Sequence, residues 1–227
     1  MKVAALIVAA GLSKRLAAKT RKPFIKLADK AILEYSLDVF LKYPSIKEII
    51  IAINKHDSEK AKKLCQKYKG GKSIKVICGG KKRTDSVYNA LLNVDKKNDY
   101  VLIHDAARPF VTRKIIKRVI ISAKKYQAAV CGTKVSSTIK KSDKNNFVSG
   151  TIDRDALWKI QTPQVFKKAV LVKAYEAIDS RKQYSDDASL VEALGRRIKI
   201  VSADKQNIKI TTPDDLLLAK SIIKVRK

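Results

Sequence analysis

The sequence predicts a three-layer α/β fold, Rossmann-like, with a mostly parallel sheet and a projecting β-arm. Three observations lead there. Short apolar, β-branched runs recur along the chain, and stretches with apolar residues at helical spacing separate them. Those runs carry little or no charge, as strands buried on both faces of a parallel sheet do. The alternation breaks once, between Thr133 and Leu157. The 227 residues suffice for one well-buried domain, and no repeat, low-complexity tract or linker divides 1–227.

The first strand is the run A-A-L-I-V-A-A from Ala4, which ends in Ala9-Ala10-Gly11 and leads into a loop carrying Arg15 and Lys22. Ile32, Tyr35, Val39, Phe40 and Tyr43 fall at helical spacing, which predicts a helix over Ile32 to Tyr43. Glu48 to Ile53 is a second strand, Ser58 to Tyr68 a polar-faced helix, and Ile74 to Cys78 a third strand ending in Gly79-Gly80. A helix follows from about Thr84 to Val94. Next come a strand over Tyr100 to His104, a helix over Thr112 to Tyr126 and a short strand over Ala128 to Cys131. Residues 133–157 read as two short strands around an Asp/Asn turn, an inserted arm with no helix beside it. Beyond it, Lys167 to Ile178 and Ala188 to Leu194 are helices and Arg197 to Val201 a strand. Thr212-Pro213-Asp214-Asp215 has the cap, proline and first-turn carboxylates of a helix start, so both aspartates read as structural.

A formal charge of +29 reads either as a sign of an anionic partner or as a lysine-rich surface of general composition. The second reading is favoured here, so the charge bounds a partner's sign and little else. The lysines are scattered as pairs rather than gathered in an arm, and aromatics make up only 6%, few for base stacking; nucleic acid is therefore disfavoured. No stretch approaches the roughly 18 to 20 apolar residues that span a bilayer, and the start lacks a secretory pattern. Cys65, Cys78 and Cys131 are odd in number and widely spaced, which fits buried free thiols in a reducing compartment. A cytoplasmic protein with no membrane partner is expected.

In parallel α/β folds ligands sit outside the carboxyl ends of strands, where Gly11, Gly79-Gly80 and Asp105 all fall. Ala9-Ala10-Gly11 with Arg15 and Lys22 reads either as a phosphate cradle or as a plain turn with a solvated basic loop. Asp105, beside Arg108, reads either as a Mg²⁺ carboxylate or as a loop cap. Gly79-Gly80 opens onto Arg83 and Ser86, again a ligand turn or a plain helix cap. His56 and His104 share no metal-ligand spacing, and no G-x-x-x-x-G-K-[ST] occurs, so a histidine metal site, a hydrolase triad and a P-loop are poorly supported.

Five stretches occur in a telling order: A9-A-G11…R15…K22, G79-G-K-K-R83-T-D-S86-V, H104-D-A-A-R-P109, T151-I-D-R-D-A-L-W158…Q161-T-P-Q164 and N207-I-K-I-T-T-P-D-D215. Together they resemble the 2-C-methyl-D-erythritol 4-phosphate cytidylyltransferase family over nearly the whole chain. The resemblance implies an enzyme that joins CTP to a sugar-alcohol phosphate with Mg²⁺ and releases pyrophosphate. It implies that Ala9, Ala10 and Gly11 form the turn against cytidine and its phosphates, and that Arg15, Lys22 and Lys209 supply charge at the attacked phosphate. Gly80, Arg83 and Ser86 would hold the nucleotide, Ala106 would lie beside the ribose, and Asp105 would hold the metal, with Arg108 in the same motif. Arg154 and Lys209 would grip the sugar phosphate, and Thr138 and Thr162 fall at substrate-contacting positions. It further implies a homodimer through the 133–157 arm, with Arg154 serving the partner's site.

Three positions depart from the family pattern. Ser13 stands where a second glycine is usual, Arg21-Lys22-Pro23 where P-K-Q is usual, and Ser137 where the arm usually has Asp. Two other readings stay open: a related enzyme acting on ribitol 5-phosphate, and a non-catalytic basic binding module.

Overall fold

The computed structural model describes residues 1–12, 16, 20–68, 70–179 and 181–226. In chain order the elements begin with β1 (Val3–Ala9), a 3₁₀ turn (Lys22–Phe24), β2 (Lys26–Leu27), β3 (Lys30–Ala31), α1 (Ile32–Leu41), β4 (Ile46–Ile53) and α2 (Ser58–Cys65). β5 (Ser73–Cys78), α3 (Arg83–Leu92), β6 (Tyr100–Asp105), α4 (Arg113–Tyr126) and β7 (Ala128–Lys134) follow. The rest is β8 (Ile139–Ser142), β9 (Val148–Ile152), β10 (Trp158–Lys167), α5 (Lys168–Glu176), α6 (Asp187–Ala193), β11 (Lys199–Ser202) and α7 (Pro213–Arg226).

The main sheet has the order β11-β7-β10-β6-β1-β4-β5. β1 pairs in parallel with β4 and β6, and β4 with β5. β10 runs antiparallel between β6 and β7. Why β1 sits inside follows from its composition: Val3 to Ile7 are all fully buried, with no polar side chain to satisfy. Its odd residues pack with α1, α2 and α4 on one face, its even residues with α3, α5 and α6 on the other. These are the three expected layers. A third cluster joins α7 to the β2–β3 hairpin through Leu27, Ile32, Ile210, Ala219 and Ile222. Each fully buried Val, Leu or Ile contributes about 1.5–3 kcal/mol. An exposed ion pair such as Lys30–Asp38 contributes under about 1 kcal/mol, so the interior rather than the lysine-rich surface holds the fold.

Helix starts follow local chemistry. Thr112 Oγ1 accepts the Ile115 N–H of α4 at 3.3 Å, and Asp215 Oδ2 accepts the N–H groups of Thr211 and Thr212 at 2.8 Å. α4 ends in Gln127, in the left-handed region at φ 66°.

The structure corrects one reading of the sequence. Trp158 to Lys167, passed over between arm and helix, is a strand in the middle of the sheet. Proline argues against a central strand because it cannot donate to the ladder. Here the register jumps from Gln161–Cys131 to Gln164–Val130, so Thr162 and Pro163, joined by a cis peptide, stand outside it. The β2–β3 hairpin, packed against α7, is a further element that the sequence pattern does not announce. Residues 133–157 contain β8 and β9 as a separate two-stranded antiparallel sheet, with Phe147 and Val148 largely exposed near its tip.

Candidate active site

The carboxyl ends of β1, β4, β5 and β6 open onto a cleft of about 1170 Å³. β1 delivers Ala9, Ala10 and Gly11 to it, and β5 delivers Gly79 and Gly80 with Arg83 just inside α3. β6 contributes Asp105, Ala106 and Ala107. The turn after β4 adds Asn54, Lys55 and His56; the 3₁₀ turn adds Lys22 and Pro23; and Lys209 arrives from the segment before α7.

Two glycines are required by packing. A Cβ on Gly79 would lie 2.4 Å from the Ala10 Cβ, and one on Gly80 would lie 2.2 Å from the Asp85 Cβ. At Gly11 a Cβ would meet nothing within 4 Å among the described residues. Ser86 is buried below the second turn. Its Oγ accepts the Gly80 N–H at 3.0 Å and donates to the Lys82 carbonyl at 3.0 Å, fixing the turn from beneath.

Charge in the cleft is one-sided. Among the described residues, Arg21, Lys22, Lys55, Lys81, Lys82, Arg83 and Lys209 line it against a single carboxylate, Asp105. Asp105 Oδ1 accepts from Arg83 Nε at 3.0 Å and Oδ2 from Lys209 Nζ at 2.6 Å. Burial by itself would raise its pKa, but Arg83 and then Lys209 hold it well below the carboxylate range. Arg83 Nη1 also donates to the fully buried Asp187 at 2.7 Å. Burial opposes the Arg83 charge, and the two carboxylates more than offset it, keeping the guanidinium protonated.

Behind Asp105, Thr162 Oγ1 accepts the Asp105 N–H at 3.0 Å and lies 3.1 Å from His104 Nδ1. His104 Nε2 lies 3.0 Å from the Arg108 carbonyl, which can only accept, so Nε2 carries the proton and Nδ1 accepts from Thr162. Burial pushes the imidazole pKa down to about 4, consistent with a neutral ring. The Thr162 hydroxyl is thus engaged in both directions inside the protein, and Thr162 does not line the cleft.

Of the residues singled out in the sequence, Ala9, Ala10, Gly11, Lys22, Gly80, Arg83, Ser86, Asp105, Ala106 and Lys209 come together here. Arg15 and Ser13 lie outside the described residues. The Arg108 guanidinium donates to the Asn207 carbonyl at 2.9 Å and is not part of the lining. Thr138 and Arg154 sit exposed at the base of the arm, where Arg154 Nη1 donates to the Ser136 carbonyl at 2.8 Å. The sequence reading missed Asn54, Lys55 and His56. The rule that found Asp105, a polar residue directly after a buried strand, would have found them. It also missed Asp187, which no local pattern links to Arg83.

No group of three or more His, Cys, Asp or Glu among the described residues could hold a metal ion. A magnesium ion bound there would take one ligand from Asp105, in place of a cation that now pairs with it, and the rest of its shell from phosphate oxygens and water.

Residues 3–225 match the family model described as 2-C-methyl-D-erythritol 4-phosphate cytidylyltransferase. A curated protein of that name from Caldanaerobacter subterraneus subsp. tengcongensis is 42% identical over 226 residues, covering 99% of this chain and 100% of its own. The one from Bacillus cereus is also 42% identical over 226 residues, covering 98% of each chain. Among solved structures, the 4-diphosphocytidyl-2C-methyl-D-erythritol synthase of Anaerococcus prevotii superposes with a TM-score of 0.88 at 32% identity, covering 98% of this chain and 96% of its own. The cytidylyltransferase of Thermus thermophilus gives 0.81 at 31%, covering 99% and 100%. With a strand-end cleft built for an anion and likeness along its whole length, this chain belongs to the 2-C-methyl-D-erythritol 4-phosphate cytidylyltransferase family.

Proposed function

We propose that the chain transfers the cytidylyl group of CTP to 2-C-methyl-D-erythritol 4-phosphate, giving 4-diphosphocytidyl-2-C-methyl-D-erythritol and pyrophosphate in non-mevalonate isoprenoid biosynthesis. The observation that carries this reading is the convergence of Lys22, Arg83, Asp105 and Lys209 on one cleft beside the Ala9-Ala10-Gly11 turn. A phosphate oxygen of the sugar alcohol attacks the α-phosphorus of CTP as the bond from that phosphorus to the bridging oxygen breaks, and pyrophosphate leaves with the electron pair. The attacking oxygen is already anionic, so no activated Ser, Cys or general base is needed. What the protein must supply is alignment and positive charge where negative charge builds up.

Lys22 and Lys209 take the charge-compensating role on this reading, together with Arg15. The small side chains of Ala9, Ala10 and Ala106 leave room for the nucleoside. Mg²⁺, held by Asp105, would neutralise phosphate charge when bound. We further infer a homodimer formed through the 133–157 arm, in which Arg154 contacts the sugar phosphate of the partner's site and Thr138 contacts substrate. A cytoplasmic setting is supported by the three free cysteines, although only Cys131 is buried as expected, Cys65 being half-buried and Cys78 exposed. No helix among the described residues is long and apolar enough to cross a membrane.

The test is to incubate the pure protein with CTP, Mg²⁺ and one polyol phosphate at a time and to measure pyrophosphate. Release with methylerythritol phosphate is expected. Faster release with ribitol 5-phosphate would overturn the substrate assignment. No release with either, beside tight salt-sensitive RNA binding, would favour a basic binding module instead.

A further inference from the structure

We infer that Asp187 and Tyr175, neither of which lines the cleft, are positioning residues that fix the Arg83 guanidinium for nucleotide binding. The inference rests on the reading of the cleft as a CTP site. α6 opens with two adjacent aspartates that do different work. Asp186 caps the helix: its Oδ1 accepts the Ser189 N–H at 3.0 Å, and its Oδ2 accepts from Gln164 Nε2 at 2.7 Å. Capping therefore leaves the Asp187 carboxylate unexplained, although it is fully buried. A buried carboxylate is retained only where its oxygens are well paired. Asp187 Oδ2 accepts from Arg83 Nη1 at 2.7 Å and its Oδ1 from the Tyr175 hydroxyl at 2.6 Å.

The Tyr175 ring is itself held by stacking on Tyr88, with centroids 5.4 Å apart and planes 17° from parallel. On its other side, Arg83 Nε donates to Asp105 at 3.0 Å. Arg83 is thus gripped from two directions, by one carboxylate inside the cleft and one behind it. The rear grip persists when the Asp105 carboxylate is engaged elsewhere. A flexible arginine would have to be ordered on each binding event, whereas this one is fixed beforehand. The geometry assigns α5 and α6, which carry Tyr175 and Asp187, a part in nucleotide affinity.

The experiment titrates the full-length chain with CTP and Mg²⁺ in the absence of the second substrate, and measures KM for both substrates. Asp187→Asn should weaken CTP binding about 10-fold and Tyr175→Phe about 3-fold, as loss of a charged and a neutral hydrogen bond would. The KM for the sugar phosphate should stay within about 2-fold, since both variants act at the nucleotide end. Because Asp187 acts through Arg83, adding Asp187→Asn to Arg83→Lys should cost little beyond Arg83→Lys alone. A purely structural role for Asp187 would instead multiply the two losses and overturn the inference. Wild-type CTP affinity in Asp187→Asn, in an otherwise active enzyme, would also overturn it. If Asp187→Asn does not fold, Tyr175→Phe, which deletes a single hydroxyl, carries the same cycle with Arg83→Lys. A parent chain that binds no CTP at all would overturn the CTP reading and this inference with it.

Discussion

The main-chain N–H of Asp105 donates to Thr162 Oγ1 at 3.0 Å, so the carboxyl end of β6 is tied to the irregular centre of β10. The cleft carboxylate is therefore positioned by two grips, Arg83 and Lys209 on its side chain and Thr162 on its backbone. Thr162→Val keeps the shape but leaves the buried N–H unpaired, at a cost of about 1–3 kcal/mol. Denaturant unfolding should show that loss, and turnover should fall with it.

His104 makes stability depend on acidity. Its folded pKa of about 4 lies below the ordinary 6.5, so below pH 6.5 the unfolded chain binds a proton that the folded chain does not. The contribution is complete above pH 6.5 and is lost as pH falls toward 4, a change of about 3 kcal/mol. Asp105, with its depressed pKa, loses its contribution only below its ordinary 3.8, so the two windows are separate. Urea midpoints from pH 7 to 4.5 should fall in the wild type and flatten in His104→Gln.

Lys22 stands on the 3₁₀ turn and lines the cleft. If it compensates charge that appears only during transfer, Lys22→Met should lower kcat by a factor of order 10² with a smaller change in CTP affinity. Single-turnover measurements separate the two effects. An unchanged kcat would remove Lys22 from catalysis.

Arg154 is exposed at the arm base and bonded to the Ser136 carbonyl, outside its own chain's cleft. Arg154→Ala should raise the KM for the sugar phosphate while leaving CTP binding nearly unchanged. Mixing Arg154→Ala with Lys22→Met subunits should restore part of the activity if the arm completes a partner's site. No recovery in verified mixed dimers would count against a shared site.

Much of this was legible in the sequence because fully buried strands must be apolar, and β1, β4 and β6 announce themselves that way. Their ends in turn located Gly11 and Asp105. β10 was hidden because Pro163 and the polar Gln161 and Gln164 break its pattern, and only the neighbouring strands make room for that irregularity. Asp187 was hidden for a different reason. Its partner Arg83 lies 104 residues away, and no local spacing encodes a contact of that range.

The reversed strand also bears on how the chain is made. β5, β4, β1 and β6 all belong to the first 105 residues, and they can assemble while the rest is still being translated. Until Trp158 to Lys167 emerges, the β6 flank is an open edge, apolar over Val101 to Ile103, the kind that recruits other chains. A ribosome stalled within the arm would leave a nascent product with a nearly finished nucleotide half and a sticky side. The β6 edge is covered only after this interior strand arrives, late in synthesis.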